Sequence, residues 1–444
     1  MSEAIPAVGG AVASPSRPVR MRDWYMCICL TVVFVLSFVD RSSMTLVVEP
    51  LKADLGISDF QVSLLLGLSF VVLFSVFSIP AGSLADRYSR RGIIAWAVFI
   101  WSSMTVMCGY ATNYRQLFLG RTGIGIGEAA LQPAAYSMLR DTFPPDRRGR
   151  AFGIFHMGPM VGVGFSLFIG GALLSLSASG AVSHWPILGS LKPWQFVIVV
   201  PGLVGLPLAL LMLTLREPKR MDRKVDENAP GYREALKFLR QQWRLYTPLW
   251  GAVTLFAIAV SSFNAWLPTV IARAWALPLP EIGRAVGVMS LVSVPAGMLL
   301  LGMVMDWLSK RGRKAAPMEV AIVAASISCV ATLFLLVTDN HLLAIVLYLC
   351  HNFFVAPIPS SAGATMAQIT PGRMMGKLSS LFFLVQNLLG LALGPTIAVL
   401  VSQTFFSGPQ AMGYAIITTF CVCTVLAVLL YVWGARQVRR GNFD

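Results

Sequence analysis

The sequence predicts an all-α membrane protein whose twelve transmembrane helices form two pseudo-symmetric six-helix bundles. Three observations lead there. The chain of 444 residues is 56% hydrophobic and only 12% charged, far too apolar for a soluble protein of this size. Its apolar residues gather into twelve runs, and short landmarks of the first half return, in the same order, in the second.

The runs lie at about 24–48, 60–81, 93–111, 116–139, 151–174 and 194–215, then at about 246–270, 282–305, 318–338, 342–366, 378–402 and 411–433. Each is near the roughly 20 residues that a spanning helix needs. A helix satisfies its own backbone, which the bilayer demands. Residues 1–22 read as a disordered cytoplasmic N-terminus, rich in Ala, Pro, Ser and Gly and without the apolar core of a signal peptide. The first bundle then occupies 23–215, a cytoplasmic linker 216–245, the second bundle 246–433 and a cytoplasmic tail 434–444.

Lys and Arg in the short loops orient the spans. With both termini inside, twenty-eight of the thirty-five basic residues fall on the inner side, five outside (Lys52, Arg115, Lys192, Arg273 and Arg284) and two, Arg41 and Arg121, within the membrane. This asymmetry accounts for the formal charge of +15 without nucleic acid as a partner. It predicts a multi-pass protein of the plasma (inner) membrane. In the linker, Tyr232, Leu236, Leu239 and Trp243 recur at helical spacing among Arg233, Lys237, Arg240 and Arg244. That pattern reads as an interfacial amphipathic helix on the cytoplasmic leaflet, a strut between the halves rather than a regulatory site.

The repeat is specific. Gly82-Ser-Leu-Ala-Asp86-Arg87-Tyr-Ser-Arg90-Arg91 follows the second run, and Gly302-Met-Val-Met-Asp306-Trp-Leu-Ser-Lys310-Arg311 follows the eighth. Basic loops at Pro145–Arg150 and Pro371–Lys377 follow runs four and ten, and Gly158-Pro159 and Gly394-Pro395 sit in runs five and eleven. A duplicated six-helix unit with parallel halves is a transporter architecture, with its substrate site between the halves near mid-bilayer.

Four charges lie well inside apolar runs: Asp40 and Arg41 in the first, Arg121 and Glu128 in the fourth. Each costs about 2.5–3.5 kcal/mol on insertion scales. Such groups face a bundle interior or a watery cavity and take partners. They are either a structural ion-pair knot or a functional site. Arg121 and Glu128 are two helical turns apart and project from one face. Gly123, Gly125 and Gly127 between them read as packing residues that let the fourth helix approach the first. No strand precedes these glycines, which excludes a dinucleotide fingerprint.

On these residues the chain resembles known families. The loop Gly82 to Arg91 looks like the signature loop of the major facilitator superfamily, and the whole plan is similar to that fold. The resemblance implies alternating access, a monomer, and a cytoplasmic charge latch of Asp86, Arg87, Arg90 and Arg91, with Arg147 and Arg150 as candidate partners. In the second copy it implies Asp306, Lys310 and Arg311, with Trp307 where Arg87 stands. Val39-Asp40-Arg41 and Gly125-Ile-Gly127-Glu128-Ala129 resemble the first- and fourth-helix motifs of the spinster family, whose members move amphipathic lipids such as lysophospholipids and sphingosine-1-phosphate.

The central charges suggest a mechanism. Desolvation favours a neutral carboxyl and a nearby Arg favours the ion, so changing access can load and release a proton. Asp40 and Glu128 are the expected proton-coupling carboxylates. Arg41 and Arg121 are the expected binding or gating groups for an anionic headgroup, for which a guanidinium suits better than an ammonium. The second half offers Asn264, Trp266, His351, Asn352, Gln386 and Asn387 as possible cavity lining in otherwise apolar spans. That asymmetry favours a proton-coupled carrier of an amphipathic, lipid-like substrate. The alternative is a carrier of small organic anions or drugs, which several inward-pointing polar residues of the second half would favour. Seven Cys without C-x-x-C spacing imply neither disulfides nor a metal. No cofactor is expected, and with no nucleophile–base pair an enzyme is not expected either.

Overall fold

The computed structural model describes residues 19–220, 231–335, 337–338 and 340–440; of these, the side chains of residues 86, 145, 146, 372 and 373 are outside the description. The disorder expected of residues 1–22 falls on residues 1–18, outside the described ones, and the first helix has already begun at Met21. Much of the linker, 221–230, is outside them too.

In chain order the first half is built from α1 (Met21–Leu46), α2 (Val48–Leu55), α3 (Asp59–Leu66), α4 (Leu68–Arg87), α5 (Arg90–Gly109), α6 (Tyr114–Glu128), α7 (Leu131–Thr142), α8 (Pro145–Ala178) and α9 (Pro193–Leu213). A surface helix α10 (Tyr232–Gln241) follows. The second half comprises α11 (Trp243–Trp275), α12 (Leu279–Lys310), α13 (Ala316–Leu335), α14 (His341–Val355), α15 (Ile358–Ile369), α16 (Gly372–Val385), a π-helical turn Gln386–Leu391, α17 (Gly394–Phe405) and α18 (Ala411–Arg440). No strand occurs among the described residues.

Among the described residues, eleven spans are long and apolar enough by themselves to cross a membrane. The twelfth is the fourth run, α6 with α7, which carries Arg121 and Glu128 and is broken at Ala129–Ala130. The break has a counterpart. The tenth run splits into α14 and α15 at Ala356–Pro357, and both runs divide into 15 and 12 residues. In each case a proline sets the break: its ring collides with the carbonyl four residues earlier and it donates no hydrogen bond. Pro133 does this to Ala129, and Pro357 to Phe353. The shared break is a structural trace of the duplication that the loop motifs announce.

The glycines of the fourth run pack differently from the expectation. A Cβ on Gly123 would lie 2.7 Å from Met104, one on Gly127 2.9 Å from Trp101, and one on Gly125 2.5 Å from the Phe70 carbonyl. They therefore seat α6 against α5 and α4, not against α1. The first and fourth runs meet through the long side chains of Arg41 and Glu128 instead. This is a consequence of register. Gly123 and Gly127 lie on the opposite side of α6 from Arg121 and Glu128, and Gly125, on the same side as the charges, is taken up by the Phe70 backbone of α4.

With an even number of spans, the start of α1 and the end of α18 lie on one face, here called the terminal face; the opposite face is the distal one. Close contacts between the halves lie between the central cavity and the distal face. A Cβ on Gly67 would be 2.2 Å from the Ala392 carbonyl, one on Gly287 2.5 Å from the Phe168 nitrogen, and one on Gly171 2.6 Å from the Pro280 carbonyl. Ser63 donates to Thr396 Oγ1 at 3.2 Å.

Candidate functional site

Between the halves lies a cavity of about 440 Å³, a size suited to a small organic ligand. Phe38, Arg41, Thr45, Phe70 and Arg121 face it from the first half, and Ser261, Asn264, Ser290, Tyr348, Asn352 and Ser360 from the second. Most of the remaining wall is Leu, Val, Met, Ala and Pro.

Arg41 is the pivot. Its Nε donates to Glu128 Oε2 at 2.7 Å and its Nη2 to the same oxygen. The guanidinium carbon also stands 4.8, 4.3 and 4.9 Å from the ring centroids of Phe38, Phe70 and Phe74. These three rings add cation–π attraction of about 0.5–2 kcal/mol each, towards the upper end where water is excluded. The two partners differ in access: Glu128 is 1% exposed and Arg41 19%. The cation reaches the cavity and the carboxylate stands behind it.

Arg121 is fully enclosed. It donates from Nε to the Leu65 carbonyl at 3.3 Å and from Nη1 to the Asp40 carbonyl at 3.5 Å. Phe70 lies 5.7 Å from it, so one ring serves both guanidiniums. Asp40 is 4% exposed, and neither of its carboxylate oxygens has a hydrogen-bond partner among the described residues. Thr105, close to it, donates its own hydroxyl to the Trp101 carbonyl at 2.9 Å. Glu128 Oε1 is likewise without a partner. The structure thus brings the four intramembrane charges together, with one carboxylate satisfied by Arg41 and one not.

Of the six possible lining residues in the second half, Asn264 and Asn352 face the cavity. Trp266 turns away and donates to the Pro395 carbonyl at 3.0 Å. His351 is packed with its ring centroid 4.1 Å from that of Phe263, and its Nδ1 lies 2.7 Å from Thr332 Oγ1. Gln386 and Asn387 lie in the π-helical turn off the cavity wall. The residues that sequence reasoning missed are Tyr348, Ser290, Phe70 and Phe74. An aromatic in an apolar run is too common a feature to single out. Tyr348 is signalled only as a hydroxyl in the span that also holds His351 and Asn352.

A clasp closes the distal side. Arg273 of α11 donates to Glu49 Oε1 from Nε at 3.0 Å and Nη2 at 2.6 Å, and to Asp59 at 3.1 Å, while Lys52 pairs with Asp59 as well. The sequence counts these residues only towards topology.

The latch residues of the terminal face are also rearranged relative to expectation. Arg90 is buried and serves as a hub. It donates to Asp141 Oδ2 at 2.5 Å, Ser137 Oγ at 2.9 Å, Glu217 Oε1 at 2.8 Å and the Pro218 carbonyl at 2.6 Å. Arg91 donates its backbone N–H to Glu217 and its side chain to the Leu215 carbonyl. The partners are thus Asp141, in the first half, and Glu217, at the start of the linker that follows it. Arg147 and Arg150, of the same sign as Arg90, are exposed at the start of α8, as is Arg87 at the end of α4. The side chain of Asp86 is outside the description. In the second copy Asp306 and Lys310 are exposed, and Arg311 stacks 3.7 Å from the centroid of Trp307. The ion pairs there are Glu319 with Arg313 and Arg439.

Burial raises the Glu217 carboxyl, but the Arg91 N–H, the Arg90 guanidinium and the Ser89 hydroxyl outweigh it and hold the group below the usual range. A depressed carboxyl stabilises the fold above its ordinary value near 4.5, and the contribution is lost as pH falls through the depressed value. We therefore expect the unfolding temperature in detergent to fall on acidification below about pH 4.5. The fall should be smaller in Glu217→Gln, which has no such proton to take up. An equal fall in both proteins would remove Glu217 from the account.

A substrate-sized cavity between duplicated halves, closed at one face and walled by intramembrane charges, defines a secondary transporter. The profile of the Major Facilitator Superfamily matches residues 30–395, and the chain belongs to that superfamily of multi-pass membrane transporters. Within it, the chain is similar in structure to a bacterial homologue of the human lysosomal transporter spinster, solved in an inward-facing, unoccupied conformation, with a TM-score of 0.80 and 23% identity over 95% of this chain and 98% of that one. In sequence it is 26% identical to an MFS-type efflux pump of Mycolicibacterium smegmatis, over 94% of each chain. It is also 26% identical to a probable L-galactonate transporter of Escherichia coli, over 96% of this chain and 92% of the relative.

Proposed function

We propose that the protein is a proton-coupled carrier of an amphipathic anion, with a lysophospholipid-like or sphingosine-phosphate-like substrate as the best fit. The supporting observation is Arg41: one guanidinium, reached from the cavity, backed by a buried carboxylate and caged by three aromatic rings. An anionic headgroup competes with Glu128 for that fork. When it wins, Glu128 is a buried carboxylate without a cation, a state that takes up a proton to avoid the cost of an isolated charge. Substrate anion and proton then travel as linked occupants. Asp40, already without a hydrogen-bond partner among the described residues, is the second proton carrier, and Arg121 holds the backbone that bears it. The close contacts between the halves on the distal side support a cavity that opens towards the terminal face, and the excess of Lys and Arg in the loops there supports a cytoplasmic side.

A carrier of small polar anions is the second reading, favoured by six polar residues of the second half on the wall and by the sugar-acid transporter among the relatives. Most of those groups are engaged within the protein. Ser290 and Tyr348 share a hydrogen bond at 2.9 Å, Ser261 donates to the Gly390 carbonyl at 3.0 Å, and Asn352 donates to the Tyr348 carbonyl at 3.3 Å. A polyhydroxylated substrate needs several open donors and acceptors; an acyl chain needs few.

The deciding experiment is flux of a labelled lysolipid into proteoliposomes with and without a pH gradient, wild type beside Asp40→Asn. Flux that follows the gradient in wild type alone is the expected result. Lysolipid flux indifferent to both would make Asp40 structural. Flux of a sugar acid with none of lysolipid would establish the second reading.

A further inference from the structure

The linker helix α10 has two apolar faces, and the protein covers one. Ala235 is buried and Phe238 packs with its ring centroid 5.9 Å from that of Tyr246. The other face is open: Tyr232 and Leu236 are 53% and 54% exposed. Arg233, Lys237 and Arg240 are exposed too, and at 100° per residue they fall within about 60° of the helix circumference, along one flank of the open stripe. Glu234 is the sole acidic residue of this segment. An open apolar stripe with a basic flank is the pattern that lies in a bilayer interface and selects negative headgroups.

The covered face is wired into the second half. Tyr246 stacks on towards Trp250 at 6.0 Å, and Trp250 towards Phe382 of α16 at 5.8 Å. Tyr246 Oη also lies 2.8 Å from Thr370 Oγ1, in the turn between α15 and α16. At the edge of the open face, Lys377 of α16 stands 5.7 Å from the centroid of Tyr232. A force on α10 is therefore delivered to the terminal-face ends of the tenth and eleventh spans.

We propose that α10 is a docking surface for anionic phospholipid headgroups of the leaflet at the terminal face, and that their binding biases the opening of that face. This role goes beyond a strut: it makes transport depend on the charge of the membrane. The partner is the lipid surface itself and the reading is independent of which substrate the cavity takes.

The test uses the full chain in nanodiscs of phosphatidylcholine with or without phosphatidylglycerol. Leu236→Cys, in a background with the seven native cysteines replaced, carries a polarity-sensitive fluorophore. The expected result is emission shifted towards the apolar limit and severalfold protection from an aqueous quencher with phosphatidylglycerol. Added salt and the triple variant Arg233→Gln/Lys237→Gln/Arg240→Gln should abolish that protection, and in sealed proteoliposomes of the same two lipid compositions transport should run severalfold differently in the two lipids for the parent and equally for the triple variant. Protection that ignores lipid charge overturns the proposal, as does protection already complete in detergent, which would mean that the chain itself covers the stripe. Lipid-dependent protection with lipid-independent transport overturns the coupling.

Discussion

Arg41→Ala is expected to abolish gradient-driven uptake of an anionic amphiphile and to destabilise the protein by about 3–5 kcal/mol, the usual consequence of removing one member of a buried ion pair. The stability loss arises because Glu128, 1% exposed, keeps its charge site and loses its cation. Combining Arg41→Ala with Glu128→Gln removes that orphaned charge and should restore most of the thermal stability. Transport should stay lost, because the headgroup has no fork to bind and the carboxylate that its binding would release for protonation is gone. Arg41→Lys keeps the charge but neither the two-pronged geometry nor the flat face against Phe38, Phe70 and Phe74. It should fall between, with uptake reduced by roughly ten- to a hundredfold. The measurement is paired: unfolding temperature in detergent and initial uptake rate in liposomes. A double variant that regains both stability and transport would make the pair a structural knot.

Gly287→Ala and Gly297→Ala should behave as opposites although they are ten residues apart on one helix. A Cβ on Gly287 would sit 2.5 Å from the Phe168 nitrogen and 2.7 Å from the Gly164 carbonyl, both in the other half. Separating the halves at the distal face relieves that clash. The added methyl therefore acts on the equilibrium between states. At about 1–3 kcal/mol for overpacking, the shift is roughly five- to a hundredfold towards the distal-open form. It reads out as faster aqueous labelling of Thr45→Cys in the cysteine-replaced background. A Cβ on Gly297 would sit 1.9 Å from the Phe353 carbonyl in the same half, the carbonyl that Pro357 deprives of its helical partner. Rocking leaves this contact in place, so the variant should lose thermal stability with little change in labelling. If Gly287→Ala merely lowered stability and left labelling untouched, the distal zipper would not be part of the conformational switch.

What could be read from the sequence is what depends on composition and period. Runs of about 20 apolar residues define the spans because the hydrocarbon thickness is a single length. The paired Asp86 and Asp306 loops show the duplication because a repeat needs no geometry to be seen. Asp40, Arg41, Arg121 and Glu128 stand out because a charge in hydrocarbon is rare and costly. Only the tertiary structure decided which of these four pair, that Arg41 rather than Arg121 takes Glu128, and that Asp40 is left without a hydrogen-bond partner among the described residues. It likewise decided that the Gly123–Gly127 face meets α5, that Trp266 and His351 point away from the cavity, and that Arg90 is satisfied by Asp141 and Glu217. The reason is the same in each case. Sequence spacing gives the angle of a side chain about its own helix axis, whereas a contact depends on the rotation and height of a second helix, and those are set by the packing of the whole bundle.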